Sequence, residues 1–292
     1  MRVRHGIAEW YGQSLLGLSP TERRRLATVA LDEHPEIPSC PFQPNAPPCR
    51  KPGGVCSIIR YAPTETGRIA RSEGDPVIVC PARFQQSSML MRWFAEIVGF
   101  AAEEAMQARE VPFMHSTATG KPAGKIDVVL AREAKGTLRW YGLEIQAVYF
   151  SGKGMRSEFL AMKADSRSQP PYPNANRRPD WRSSSAKRLM PQLQVKVPTV
   201  RRWGSKLAVA VDRPFFDSIG GPGDSPRHDL DDGDVIWLVP KLVPNQAGGY
   251  SLQRGHWEVL TLEETNAKLL AAAPVQRSSF EGELSKRLQP LE

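Results

Sequence analysis

No stretch of this 292-residue chain approaches the ~20 consecutive apolar residues that a membrane-spanning helix needs. The start, "MRVRHGIAEW", carries charge with no apolar run behind it, so no secretory signal is expected. No internal repeat is present, and the five histidines are scattered without metal-ligand spacing. "SGKG" at 151–154 lacks the rest of a phosphate-binding loop, and "DDGD" at 231–234 reads as a turn before a strand. Cysteine is scarce: four residues, none in a CxxC pair, all in the first third. These absences argue against membrane and secreted classes. They leave an intracellular chain long enough for one large domain or two smaller ones.

Apolar residues make up 40%, an ordinary value for a globular protein. The 39 basic side chains exceed the 31 acidic ones, giving a net charge of +8. Such an excess suits a polyanionic partner, chiefly nucleic acid, although mildly basic proteins without such partners are common.

Residues 1–36 read as helical, with Ser19 as N-cap, Pro20 in the first turn and Glu22 three residues after the cap. From 37 to 81 the texture turns to Pro, Gly and cysteine with little periodicity. "SSMLMRWFAEIVGFAAEEAMQARE" then carries apolar residues at helical spacing, which predicts one long buried helix. "GKIDVVLA" and "LRWYGLEIQAVYF" read as strands joined by a turn at Lys135 and Gly136. Beyond them come a short helix at "MRSEFLAMKADS", a long loop over 166–185 and a helix over 187–203. Strands at "KLAVAVD", "DVIWLVPKLV" and "HWEVLTL" and helices at "PFFDSIG" and "EETNAKLLAAA" complete the chain. The pattern predicts an α/β fold with one central mixed sheet flanked by helices. Two regions are expected: 1–85, helical and cysteine-bearing, and 86–292, carrying the sheet.

Strand alternation sets Glu144 and Gln146 on one face, among mostly apolar neighbours. A carboxylate at the margin of a core costs free energy unless a cation or hydrogen bonds compensate it. Asp127 sits likewise in the apolar run of the preceding strand. Pairing through the turn would bring Asp127 to Glu144, and adjacent carboxylates repel unless one is protonated or a divalent cation lies between them. Mg²⁺ held this way suits metal-assisted phosphodiester hydrolysis. The competing reading is an edge strand with Glu and Gln turned to solvent.

Disulfides among Cys40, Cys49, Cys56 and Cys80 are disfavoured in a reducing compartment. Four thiolates around one ion make a closed tetrahedral site of iron or zinc, and Pro41, Pro81 and the Gly53-Gly54 pair supply turns beside three of them. Buried free thiols are the other reading.

"ID" at 126–127 followed by "LEIQ" at 143–146 is similar to the PD-(D/E)xK nuclease core in its glutamine variant, with Ile126 where the usual Pro stands. "SCPF" at 39–42, "GGVC" at 53–56, "VIVCPAR" at 77–83 and "GLEIQAVYFSG" at 142–152 resemble, in that order, the NotI restriction endonuclease family. "AKRLMPQLQVKV" and "VIWLVPKLV" extend the likeness more loosely, so it covers nearly the whole chain.

The resemblance implies a PD-(D/E)xK restriction-endonuclease-like core with an N-terminal four-cysteine metal-binding segment. By position, Asp127 and Glu144 would hold catalytic Mg²⁺, and Gln146 would stand where most of the superfamily has lysine. Glutamine can orient an attacking water but neither carries charge nor titrates. Cys40, Cys49, Cys56 and Cys80 would hold a structural iron, with zinc as the other candidate. The implied activity is type II cleavage of double-stranded DNA at a GC-rich palindrome by a homodimer, in a prokaryotic cytoplasm beside a protective DNA methyltransferase. A catalytically inactive, sequence-specific DNA-binding protein with a structural metal site is the alternative. For DNA contact the expected residues are Arg177, Arg178, Arg182, Lys187 and Arg188 in "NANRRPDWRSSSAKR", with Lys153 on a phosphate.

Overall fold

The Oγ of Ser19 accepts from the Glu22 amide while Glu22 returns a hydrogen bond to the Ser19 amide, closing the expected capping box on helix α1, Pro20–Ala30. The computed structural model describes residues 3–33, 36–152, 154–271 and 275–290. Ahead of α1 the expectation of helix fails. Arg4–Trp10 is strand β1, followed by the short β2, Gln13–Ser14. β1 finds its partner 50 residues later, in β3, Val55–Pro63, and β3 pairs in turn with β4, Ile69–Ile78. The cysteine-bearing stretch therefore contains two strands that its composition hides. The four strands form an antiparallel sheet in the order β2-β1-β3-β4.

The long helix foreseen after residue 86 is also shorter than expected. Helix α2 spans Met89–Ile97. It stops at Gly99, whose φ of 72° suits glycine, with Phe100 N bonded to Ala95 O and Gly99 N to Glu96 O. Those two bonds are a Schellman ending. "AMQARE", read as the helix's tail, instead begins strand β5, Met106–His115.

β5 starts the central sheet, which continues through β6 (Pro122–Ala134) and β7 (Thr137–Ile145). A two-stranded ribbon, β8 (Phe150–Ser151) with β9 (Arg178–Pro179), brackets helix α3, Arg156–Ala164. The segment over 166–185 is largely irregular, as expected, with one turn of helix at Trp181–Ser184 (α4). A π-helical turn at Ser185–Leu189 leads into α5, Met190–Arg202. Strand β10 (Leu207–Ala210), helix α6 (Arg213–Ser218), strands β11 (Val235–Pro244) and β12 (Tyr250–Leu260), and helices α7 (Leu262–Leu270) and α8 (Arg277–Ser285) complete the described chain.

The six strands run in the order β12-β11-β10-β7-β6-β5, with β10 parallel to β7 and β11 and the remaining pairs antiparallel. This is a mixed α/β architecture with helices on both faces. Ala208, Ala210 and Leu143 lie with α2 in one apolar cluster. Leu207 and Val209 lie with α5, α6 and α7 in the other, which also takes in Ile7, Ile58 and Val77 of the N-terminal sheet. The two expected regions thus share a core. A Cβ at Gly142 would stand 2.6 Å from a terminal methyl of Leu207, which would have to shift. Gly142 pairs with Leu207 in the β7–β10 ladder, two residues before Glu144.

Candidate active site

Lys135 and Gly136, with φ of 52° and 75°, turn β6 back into β7. Positive φ at both central positions is what a tight hairpin demands. The ladder runs from Ala134 opposite Thr137 to Val128 opposite Leu143 and goes no further. There the strands part, and side chains take over the hydrogen bonding. The Ile145 amide donates to Asp127 Oδ2 at 3.0 Å, and the Asp127 amide donates to Glu144 Oε1 at 3.4 Å. β7 meanwhile continues along β10, with Glu144 opposite Val209, and the Gln146 amide bonds Ala210 O at 2.9 Å.

Asp127, Glu144 and Gln146 all line one cleft of ≈ 750 Å³. The two carboxylates line the same cleft, and the charge on Asp127 is felt at Glu144. Asp127 is exposed, whereas Glu144 is only 2% accessible. Burial first, and then repulsion from Asp127, push the Glu144 carboxyl from 4.5 up to about 7, against the pull of Lys196. The Lys196 ammonium, on α5, lies 2.5 Å from Glu144 Oε2 and 3.0 Å from Gln192 Oε1. Gln146 is nearly buried and its Nε2 donates to Ala147 O at 2.5 Å.

A carboxyl raised this way binds a proton in the folded state over a window, about 4.5 to 7, where the unfolded chain has released it. Its contribution to stability is complete below pH 4.5 and is lost as pH rises through 7. In the metal-free protein, the ¹³C shift of the Glu144 carboxyl should therefore titrate with a midpoint near 7. A midpoint under 5 would contradict the burial described. A hard divalent cation fits this pair, since it relieves the repulsion that the exposed Asp127 and buried Glu144 otherwise bear.

The cysteines are free thiols, three buried and Cys49 partly so. Burial raises the thiols of Cys49, Cys56 and Cys80, and Cys49 feels charge on Cys40 and Cys80, as Cys56 does on Cys80 and Cys49. The Gly12 amide points to the Cys56 sulfur, and those of Ala82 and Arg83 to that of Cys80. N–H donors aimed at sulfur suit thiolate ligands. Among the described residues, however, no three His, Cys, Asp or Glu side chains stand close enough, as arranged, to hold a metal ion.

The expected DNA contacts disperse. Arg177 is fully buried, paired with Glu158 and bonded to Gly154 O at 2.7 Å, so it braces its loop instead of facing a duplex. The correction has a physical cause: a guanidinium forced inside by chain packing takes the nearest carboxylate. Arg182 and Lys187 are exposed. Arg188 is exposed too, its guanidinium 3.7 Å from the ring centre of Tyr149 on the cleft wall. Arg178 borders a separate concavity of ≈ 670 Å³ with His5, Arg60 and Trp181. Lys153 lies outside the described residues.

Sequence reasoning missed the cations that do border the cleft. Arg50 and Lys51, beside Cys49, and Arg109 on β5 line the same cleft as the acidic pair. Lys51 is fixed by a 2.8 Å bond to Val79 O. It missed Lys196 as well, although a lysine in the stripe Leu189, Leu193, Lys196, Val200 was a signal, because that spacing is a core-facing one.

A paired-carboxylate cleft with surrounding cations, on a mixed sheet, is a frame suited to phosphodiester chemistry. A family model described as restriction endonuclease NotI matches residues 23–252, well over half of the chain. No match was found among curated proteins. The protein is therefore a restriction endonuclease, a site-specific deoxyribonuclease acting on double-stranded DNA. Within that class it belongs to the NotI family.

Proposed function

We propose that this endonuclease is a Mg²⁺-dependent type II enzyme with a PD-(D/E)xK core, cutting a GC-rich palindrome as a homodimer. The observation that carries the chemistry is the approach of Asp127 and Glu144 where β6 and β7 part, in a cleft also lined by Arg50, Lys51 and Arg109. Asp127 and Glu144 would hold the ion, which when bound would supply Lewis acidity to the scissile phosphate and the attacking water. Gln146, which carries no charge, orients that water through its amide. Water oxygen bonds to phosphorus as the bond from phosphorus to the 3′ oxygen breaks, leaving 5′-phosphate and 3′-hydroxyl ends. Arg50, Lys51 and Arg109 neutralise backbone phosphates, joined by Arg178, Arg182, Lys187 and Arg188 and, on the sequence reading, Lys153. A two-fold dimer matches the two-fold symmetry of a palindrome, each subunit cutting one strand. Among the described residues no helix is long and apolar enough to cross a membrane. We place the enzyme in a prokaryotic cytoplasm, beside a methyltransferase that protects host DNA.

The test is cleavage of GC-rich plasmid DNA with Mg²⁺. Wild type should give discrete fragments and Glu144→Ala none; wild-type protein that binds DNA but never cuts it, with Mg²⁺ or Mn²⁺, defeats the reading.

We further propose that Cys40, Cys49, Cys56 and Cys80 hold a structural iron, or zinc in its place. The mutual electrostatic influence of the four sulfurs and the amides aimed at Cys56 and Cys80 support it. A closed four-thiolate shell leaves no position open for substrate, so its role is to hold 37–85 together. Purified protein should carry one iron or zinc per chain, lost on Cys56→Ala. Four freely titrating thiols without metal would refute the site.

A further inference from the structure

We propose that Lys196 is a positioning residue of the nuclease site: held by Gln192, it fixes Glu144 from behind the cleft and supplies there the positive charge that Gln146 lacks. The inference rests on the nuclease reading of Asp127 and Glu144 and adds a residue to it.

The geometry is particular to one face of α5. Gln192 and Lys196 are four residues apart and so lie one above the other on the helix. Gln192 borders the cleft, whereas Lys196 stands behind it, 6% accessible. Its ammonium reaches across to Glu144 Oε2 at 2.5 Å and takes Gln192 Oε1 at 3.0 Å. Glu144 Oε1 is left to the Asp127 amide. The two oxygens of Glu144 thus have separate duties, one anchored to the helix and one turned toward Asp127.

Sequence spacing makes this arrangement expensive to keep by chance. Leu189, Leu193 and Val200 share the buried stripe with Lys196, and an apolar residue there would pack without the desolvation cost of an ammonium. Breaking a buried pair by removing one partner leaves an uncompensated charge. A mere staple between α5 and β7 would serve as well anywhere along the 13-residue helix. This one ends on Glu144, the buried carboxylate among the described residues of the cleft. Gln146, just beyond the end of β7, also borders the cleft and has an amide where a lysine would bring an ammonium toward the same carboxylate. Lys196 approaches that carboxylate from the helix side instead.

The experiment compares wild type, Lys196→Met, Gln146→Lys and the double variant Lys196→Met/Gln146→Lys. Single-turnover cleavage of GC-rich DNA, metal-free DNA binding by anisotropy, Mn²⁺ affinity by calorimetry and thermal midpoint are read for each. Partners that orient metal ligands typically change metal affinity or activity by about 10–100-fold when removed. Lys196→Met should therefore weaken Mn²⁺ binding about tenfold and slow cleavage by about 100-fold, with metal-free DNA binding within about twofold of wild type. The double variant should regain at least about a tenth of the wild-type rate, because lysine at 146 returns a cation to Glu144. If Lys196→Met cuts and binds Mn²⁺ like wild type and only melts earlier, the residue is a structural staple and the proposal fails. Should that variant not fold, Gln192→Leu releases the ammonium while keeping its charge. It should slow cleavage about tenfold, and an unchanged rate overturns the proposal. Wild-type protein that neither cuts nor binds Mn²⁺ removes the nuclease reading itself, a result distinct from loss of the Lys196 role alone.

Discussion

Replacing Asp127 by asparagine is expected to slow DNA cleavage by about 10³-fold or more while leaving the fold unchanged and metal-free DNA binding equal or tighter. Asparagine is nearly isosteric with aspartate and keeps an oxygen able to accept the Ile145 amide, a hydrogen bond that ties the side chain to the backbone. Asp127 is exposed, so no buried charge is created or removed. What changes is the charge offered to a divalent ion. Lewis-acid stabilisation of a phosphoryl transition state is worth several kcal/mol, and about 4 kcal/mol corresponds to about three orders of magnitude in rate. Losing a negative charge beside the cleft also eases the approach of phosphates when no ion is present. Stopped-flow cleavage and anisotropy on the same preparation provide the check. A variant that cuts within tenfold of wild type would show that Asp127 is not a ligand, and a variant with lowered thermal midpoint would point to a structural role.

Arg83→Met is expected to cost the largest share of folding stability of any single substitution discussed, about 3–5 kcal/mol, the range for breaking a buried ion pair by removing one partner. The Arg83 Nε donates to both oxygens of Glu9, at 2.9 and 3.1 Å, and the two side chains are essentially inaccessible. One terminal nitrogen of the guanidinium bonds Gln86 Oε1 at 2.8 Å and the other bonds Tyr250 O at 2.9 Å. Its flat face lies 4.3 Å from the ring centre of Phe42, between Cys40 and Cys49. One residue thus ties β1, the start of β12 and the cysteine segment together. Methionine fills much of the volume but leaves Glu9 with the Ser57 hydroxyl, 2.8 Å away, as its remaining side-chain partner. Urea unfolding at constant pH measures the loss, and a change under about 1 kcal/mol contradicts the account. Adding Glu9→Gln to Arg83→Met should recover part of the deficit, because the stranded charge goes with it.

The amino-acid order alone determined the local pieces. Ser19 and Glu22 could do little but cap α1, and Lys135 and Gly136 could do little but turn a hairpin, since the chemistry involved spans only a few residues. The hairpin register favoured by that turn runs only to Val128 opposite Leu143, so the sequence suggested the approach of Asp127 to Glu144 and the fold beyond the ladder decided it. Local pattern failed where partners are distant. Arg4–Trp10 became a strand only because β3, 50 residues on, offers an edge, and the residues after Gly99 left the helix once the Schellman ending closed and β6 offered pairing. Tertiary packing alone decided which cations matter. Folding carried Arg177 inward to Glu158, brought Arg50, Lys51 and Arg109 to the cleft of the acidic pair, and set Lys196 on Glu144 across 52 residues. Charges act through space at a few ångströms, and sequence separation carries no information about that distance until the chain has folded.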